Sequence, residues 1–267
     1  MSVVTITSDT EINVDEHFKT SAGPGAGKTF WLVKHLKNVL QTSTRLGSSK
    51  KIACITYTNV GVDTIISRLD FMADRVEVST IHSFIYSNIV KPYVSFIATE
   101  FELDASKIDG HDEHFISRRK IINWLTNHIN VGRFAHPYTI NQLTRMEQNV
   151  SAIGRWLSSL HYEFENNRLV LKADNSEAYY LEGNVRRNLG KASCLDKLLP
   201  GLMDYKKIFW RRGTLHHDDV LFFGYTLLTR YPFILKIIQI KFPYFFIDEF
   251  QDTNPIQAAI LELISRV

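Results

Sequence analysis

The sequence predicts an α/β fold: a parallel sheet flanked by helices and interrupted by a mostly helical insertion. Three observations carry this. Apolar strand-like runs alternate with amphipathic helices over the first ninety residues. That rhythm stops near Lys91 and returns after Gly213. A glycine-rich loop and an acidic strand end sit in the two flanking segments, one in each. The expected organisation is therefore a sheet domain in two pieces, 1–90 and 214–267, with 91–213 inserted between them.

The elements follow in order. His17-Phe-Lys-Thr-Ser21 reads as a short strand. Lys28 to Leu40 reads as a helix, with Phe30, Val33, Leu36, Val39 and Leu40 near a 3.6-residue period. Lys51-Ile-Ala-Cys-Ile-Thr-Tyr57 is almost continuously apolar, the pattern of a strand buried on both faces. Asn59 to Leu69 is a second helix, Val76 to Ile81 a third strand, and a helix follows from Ser83. In the insertion, Ile116–His128 and Ile140–Leu160 have helical spacing, while Asn166–Tyr180 is a hairpin or an irregular excursion. Asp218–Thr229 is an apolar helix, and Tyr231–Phe242 reads as core. Tyr244–Asp248 is a strand, and a helix runs from Asn254 to Ser265 with Pro255 in its first turn.

Composition narrows the classes. A 45% hydrophobic chain of 267 residues is ordinary for a globular protein. The net charge of +3 is too small to identify an anionic partner without local clustering. Cys54 and Cys194 match no metal-ligand spacing and read as two reduced thiols. The polar N-terminus carries no leader pattern, and no apolar stretch reaches the roughly 18–20 residues of a membrane span. The expectation is a cytoplasmic protein with no membrane partner.

Ala22-Gly23-Pro24-Gly25-Ala26-Gly27-Lys28-Thr29 has the spacing of a phosphate-binding loop between strand and helix. Backbone N–H groups must converge on phosphate oxygens there, and a Cβ on Gly25 or Gly27 would block the approach. The helix beginning near Lys28 points its positive end at the anion. Lys28 would neutralise the β- and γ-phosphates, and Thr29 would offer its hydroxyl to Mg²⁺. Far along the chain, Phe245-Phe-Ile-Asp248-Glu249 is an apolar strand ending in two carboxylates, where open α/β sheets bind ligands. Asp248 would hold Mg²⁺ through water, and Glu249 would orient and deprotonate the attacking water. Because strand residues alternate faces, both acids can serve one nucleotide only if Glu249 lies where the chain leaves the pleat. ATP and Mg²⁺ are the implied ligands.

Asp248-Glu-Phe-Gln251-Asp-Thr-Asn254 resembles motif II of the UvrD/Rep family of superfamily 1 DNA helicases, and the Ala22–Thr29 loop is similar to its motif I. Ile55-Thr-Tyr57-Thr58-Asn59 resembles motif Ia. Ser79-Thr-Ile-His82-Ser83-Phe84 resembles the next DNA-contacting motif, and Gly213–Leu221 the segment before motif II. The resemblance implies a RecA-like P-loop NTPase domain acting on single-stranded DNA and its junctions with duplex. It implies that Tyr57 stacks on a base, which suits any base because each has a π-face; the alternative is a core aromatic. It implies backbone or sugar contacts from Thr58, Asn59, His82 and Ser83, and a γ-phosphate-sensing or coupling role for Gln251. Structural roles for His82 and Gln251 stay open.

Two departures matter. Val60 stands where the family often has a lysine, and Ile12–His17 offers no adenine-reading glutamine. The later helicase motifs, with the arginine of the second RecA-like half, are not in this sequence. That arginine is worth about 10³–10⁵ in rate. This chain alone is expected to bind nucleotide and turn it over slowly.

In the insertion, Ser117–Trp124 and Tyr205–Arg212 mix basic and aromatic residues. Each is either a DNA-contacting surface or a helix with a solvated basic face and inward aromatics. The leading expectation is the ATP-hydrolysing portion of a DNA helicase. The alternatives are a nucleotide-gated DNA- or partner-binding module, and a helicase subunit working with a nuclease or repair partner in recombination or defence.

Overall fold

In the computed structural model, described over residues 5–7, 9–23, 25–110, 117–136, 138–166, 168–189 and 192–265, the strands are β1 (Ile52–Thr56), β2 (Val76–Thr80), β3 (His161–Glu165), β4 (Arg168–Lys172), β5 (Tyr179–Glu182), β6 (Val185–Asn188) and β7 (Tyr244–Ile247). The chain forms two compact units. One comprises Met1–Asn88 with Leu228–Val267, the other Ile89–Leu227.

The first unit is built on a parallel sheet in the order β2-β1-β7. Every residue of β1 is buried, as its unbroken apolar run requires of a central strand. Register places Ile52 and Cys54 beside Tyr244 and Phe246. These pack on one face with Leu32, Val33, Leu36 and Val39 of the helix Lys28–Thr42 and with Ile65 and Leu69 of the helix Asn59–Leu69. Phe245 points the other way and meets Phe84 and Phe242, with ring centroids 6.0 Å away in each case. The period-2 alternation of β7 thus fills both sides of the sheet.

The expected strand at His17–Ser21 does not form. Its single large apolar side chain, Phe18, packs edge-on against Trp31 and His35, and its neighbours stay exposed. One apolar residue does not make a two-sided strand. The helix Lys28–Thr42 forms two residues longer than expected, but Phe30 is exposed and Trp31 takes the core position. The helix Pro232–Lys241 departs from the expected core segment: Ile234 and Ile238 are buried, whereas Phe233, Ile237 and Ile240 are exposed. No single helix among the described residues is long and apolar enough to cross a membrane.

The second unit packs helices around Trp124, Leu143, Ile153, Trp156, Leu198, Tyr205 and Phe209. It also carries two antiparallel hairpins, β3–β4 and β5–β6. The segment left open as hairpin or excursion therefore begins with a hairpin, turned at Asn166 in the left-handed region (φ 49°). The Ile116–His128 helix covers Arg118–Thr126, and Ile116 lies outside the described residues. The single helix expected over Ile140–Leu160 is two, Ile140–Arg145 and Glu147–Ser158, divided at extended Met146. A reciprocal cap between Thr139 and Gln142 starts the first, and Asn149 donates to the Gln142 carbonyl at its end (3.3 Å).

Both thiols are free and buried. Burial pushes Cys54 up to about 12 and Cys194 up to about 11, which keeps them protonated and unreactive.

Candidate functional site at the carboxyl edge of the parallel sheet

Because β2, β1 and β7 run parallel, their carboxyl ends share one edge of the sheet. Tyr57 leaves β1 there, Ile81–Ser83 leave β2, and Asp248–Glu249 leave β7. The Asp248 N–H donates to the Ile55 carbonyl at 2.8 Å, carrying the ladder one residue past β7. Glu249 then turns into the left-handed region (φ 55°, ψ 39°). The pleat ends between the two acids, as sharing one ligand requires.

The phosphate-loop candidates are placed as follows. Gly25 and Gly27 hold φ of 75° and 81°, where a side chain is strained. A Cβ added to Gly23, Gly25 or Gly27 would meet nothing within 4 Å and would stand in the open space beside the loop. Ala22 accepts from the Lys28 ammonium (3.3 Å), and the Ala26 N–H donates to the Gly23 carbonyl (3.3 Å). Pro24 lies outside the described residues. Thr29 is half-buried in the first turn of the helix Lys28–Thr42, whose N-terminal end begins at Gly27. Left-handed glycines, unfilled space, a helix N-terminus and an ammonium together suit a polyphosphate. The hydroxyl of Thr29 and the carboxylate of Asp248 are hard oxygen donors of the kind Mg²⁺ takes, with water and phosphate completing its shell.

Lys28 and Glu249, distant in sequence, meet at 3.8 Å. Gln251 donates its amide to the same Glu249 oxygen, Oε2. Asp248 is half-buried, and burial raises its carboxyl above the ordinary carboxylate value. The Glu249 carboxylate adds to that rise, while the Glu249 N–H (3.2 Å) and the Lys28 ammonium oppose it. A carboxyl held high by lost hydration regains its charge most readily beside a cation.

The strand-end candidates divide. Tyr57 is 50% exposed and Asn59 is exposed. Thr58 caps the helix Asn59–Leu69, its hydroxyl accepting from the Gly61 N–H at 3.0 Å. Ser83 is tied to Thr80, which caps the helix Ile81–Ile85. His82 is half-buried in that first turn. With β1 central, Ile81–Ser83 stand two strand spacings, roughly 10 Å, from the acids. The structure brings Lys28, Glu249 and Gln251 together, and it sets His82 and Ser83 on the opposite strand of the same edge.

Sequence reading missed several supports. Trp31 donates its indole N–H to the Thr10 carbonyl (3.0 Å) and stacks on His35 at 5.2 Å. Gly61 lies so close to β1 that a Cβ would sit 2.6 Å from Thr56 Oγ1. Gln257 is buried and exchanges hydrogen bonds with Asn254, each 2.9 Å, to start the last helix. The Asn-x-x-Gln spacing was a readable capping signal.

In the second unit, Tyr205–Arg212 follows the reading of inward aromatics and a solvated basic face at all but one position: Tyr205, Phe209 and Trp210 are buried, and Arg211 and Arg212 are exposed. Lys206 is fully buried and pairs with buried Asp219 at 2.9 Å. Lys207 and Arg211 both engage Glu102 (2.8 and 2.5 Å), which holds that exposed carboxyl down at about 2.

Comparison with known proteins gives two findings. The model of the UvrD/REP helicase N-terminal domain matches residues 8–267. The Gabija protein GajB of Bacillus cereus (strain HuB5-5) is 24% identical over 261 residues, covering 91% of this chain and 37% of that protein. The chain thus spans well under half the length of that relative.

Proposed function

The chain belongs to the UvrD/Rep helicase family through its N-terminal domain, and on that premise we propose that it is the ATP-binding and hydrolysing portion of a DNA helicase. That helicase couples hydrolysis to translocation on single-stranded DNA and to duplex unwinding. The observation that supports this most is the meeting of Lys28 and Glu249 beside an open glycine loop.

In this reading the loop Ala22–Thr29 cradles the phosphates through its backbone N–H groups, which Pro24 lacks, and Lys28 neutralises the β- and γ-oxygens. Thr29 and Asp248 hold the magnesium ion, which when bound screens the phosphate charge. Glu249 orients a water and takes its proton, and Gln251 couples that group to the state of the site. Tyr57 stacks on a base, and Thr58, Asn59, His82 and Ser83 contact the strand backbone. The domain is RecA-like, in two segments, 1–90 and 214–267, with 91–213 as an inserted domain. A second RecA-like half supplies the arginine that completes turnover, and single-stranded DNA with its duplex junctions is the nucleic-acid partner. The setting is the cytoplasm, where ATP and DNA are both at hand.

The test is single-stranded-DNA-stimulated ATPase of the full-length protein. Lys28→Ala should abolish nucleotide binding. Glu249→Gln should keep binding and lose roughly 10²-fold or more in turnover, the usual worth of a general base. Wild-type turnover in both variants refutes the reading.

A second reading makes the protein the motor subunit of an assembly with a nuclease or repair partner. Similarity to the Gabija protein favours it. Strand separation by the purified protein without a partner counts against it.

A further inference from the structure

We propose that Gln251 is a positioning residue that parks Glu249 away from catalysis and so brakes hydrolysis in the absence of DNA. This rests on the ATPase reading above. Two groups hold one oxygen of Glu249: the Lys28 ammonium at 3.8 Å and the Gln251 amide, which donates to it directly. Both engage Oε2, so the carboxylate is anchored from one side.

The two restraints differ in what releases them. Lys28 is shared with the Ala22 carbonyl and is the group a phosphate claims. Nucleotide binding therefore removes the ammonium from Glu249. Gln251 belongs to the turn Phe250–Asp252, fixed by Asp252 N–H to the Glu249 carbonyl (3.0 Å) and by Thr253 N–H to the Phe250 carbonyl (3.2 Å). That turn keeps the Gln251 amide beside the Glu249 carboxylate. Glu249 itself sits at φ 55°, an unfavourable backbone conformation for a glutamate, held by these same turn bonds. With nucleotide bound, the amide is the restraint that remains, and Glu249 works only when that bond opens.

The test measures ATP turnover by the full-length protein, with and without saturating single-stranded DNA, for Gln251→Ala and Gln251→Glu. Alanine cannot donate, and glutamate both fails to donate and repels Glu249. In each variant the DNA-free kcat should rise roughly 3- to 10-fold, the loss of one hydrogen bond to a charged acceptor at an exposed site. KM for ATP should stay within about twofold, since ground-state binding is untouched. The stimulation by DNA should shrink by the same factor as the DNA-free rate rises. Gln251 is exposed, so neither change is expected to disturb folding, and matched melting curves check this. An unchanged or lower DNA-free kcat in both variants overturns the brake, as does a rise carried by KM alone. Lys28→Ala run alongside separates the two ideas. If it is inactive while the Gln251 variants stay flat, the brake alone fails. If it turns over like wild type, the ATPase reading fails with it.

Discussion

Lys206 is a lysine in a basic stretch by sequence and a buried cation by structure. Its ammonium lies 2.9 Å from Asp219 and 2.7 Å from His216 Nδ1, which must accept and is therefore unprotonated. Asp219 also accepts from Tyr162 (3.1 Å), the Trp210 indole (3.0 Å) and the His216 N–H (2.9 Å). These donors satisfy the buried carboxylate; burial pushes it up, but the Lys206 ammonium, with His216 and the Trp210 indole, holds it below the ordinary value. Burial lowers His216 from its ordinary 6.5 to about 4. The folded state thus favours the neutral ring, and the unfolded chain takes up a proton at higher pH. Stability from this group is fully present above about 6.5 and is lost as pH falls through about 4. Urea-unfolding midpoints taken from about pH 7.5 down to pH 4 should therefore fall, and His216→Asn should flatten that slope. An unaltered slope in the variant assigns the pH dependence to other groups. The candidate phosphate-loop and acidic residues were picked out by spacing, because the chemistry proposed for them demands particular residue types in a fixed order along the chain. Lys206 was not, since nothing local distinguishes a lysine that will face Asp219 from one that will face water.

Among the elements, β1 and the helix after it illustrate what pattern can and cannot say. The apolar run Ile52–Ile55 announced a strand buried on both faces. The helix Asn59–Leu69 has the bounds expected from the sequence. By propensity alone Gly61 weakens this helix, because alanine is better by about 1 kcal/mol in an open helix. In the fold that glycine lets the helix approach Thr56, and a Cβ would sit 2.6 Å from the Thr56 hydroxyl. Overpacking of that kind costs about 1–3 kcal/mol. Gly61→Ala should therefore destabilise the protein by about 1 kcal/mol net in chemical denaturation, and any stabilisation sinks the argument. The same limit explains the other misses. Met146 interrupts a stretch of sound helical spacing, and only the Thr139–Gln142 cap before it and the Asn149 bond after it reveal two helices. Exposed Phe233, Ile237 and Ile240 lie at i, i+4 and i+7, so their helix shows a second apolar stripe that hydropathy alone assigned to the core.

At the scale of the molecule, all nucleotide-site candidates fall in the unit formed by Met1–Asn88 and Leu228–Val267. If the proposed site binds MgATP, amide hydrogen exchange should slow at residues 22–29 and 248–252 and change least in residues 89–227. Protection centred in the second unit refutes the placement. By itself the sequence determined the candidates: a glycine loop ending in Lys28–Thr29, an apolar strand ending in Asp248–Glu249, and the resemblance that the comparison bore out at the level of the family. It could do so because those functions demand particular residue types at fixed local spacing. Tertiary structure alone decided that Lys28, Glu249 and Gln251 converge on one oxygen, that β1 sets His82 apart from the acids, and that Lys206 is buried. Each of those depends on which strands pair and which side chains lose water, and these are contacts between residues that local sequence does not link.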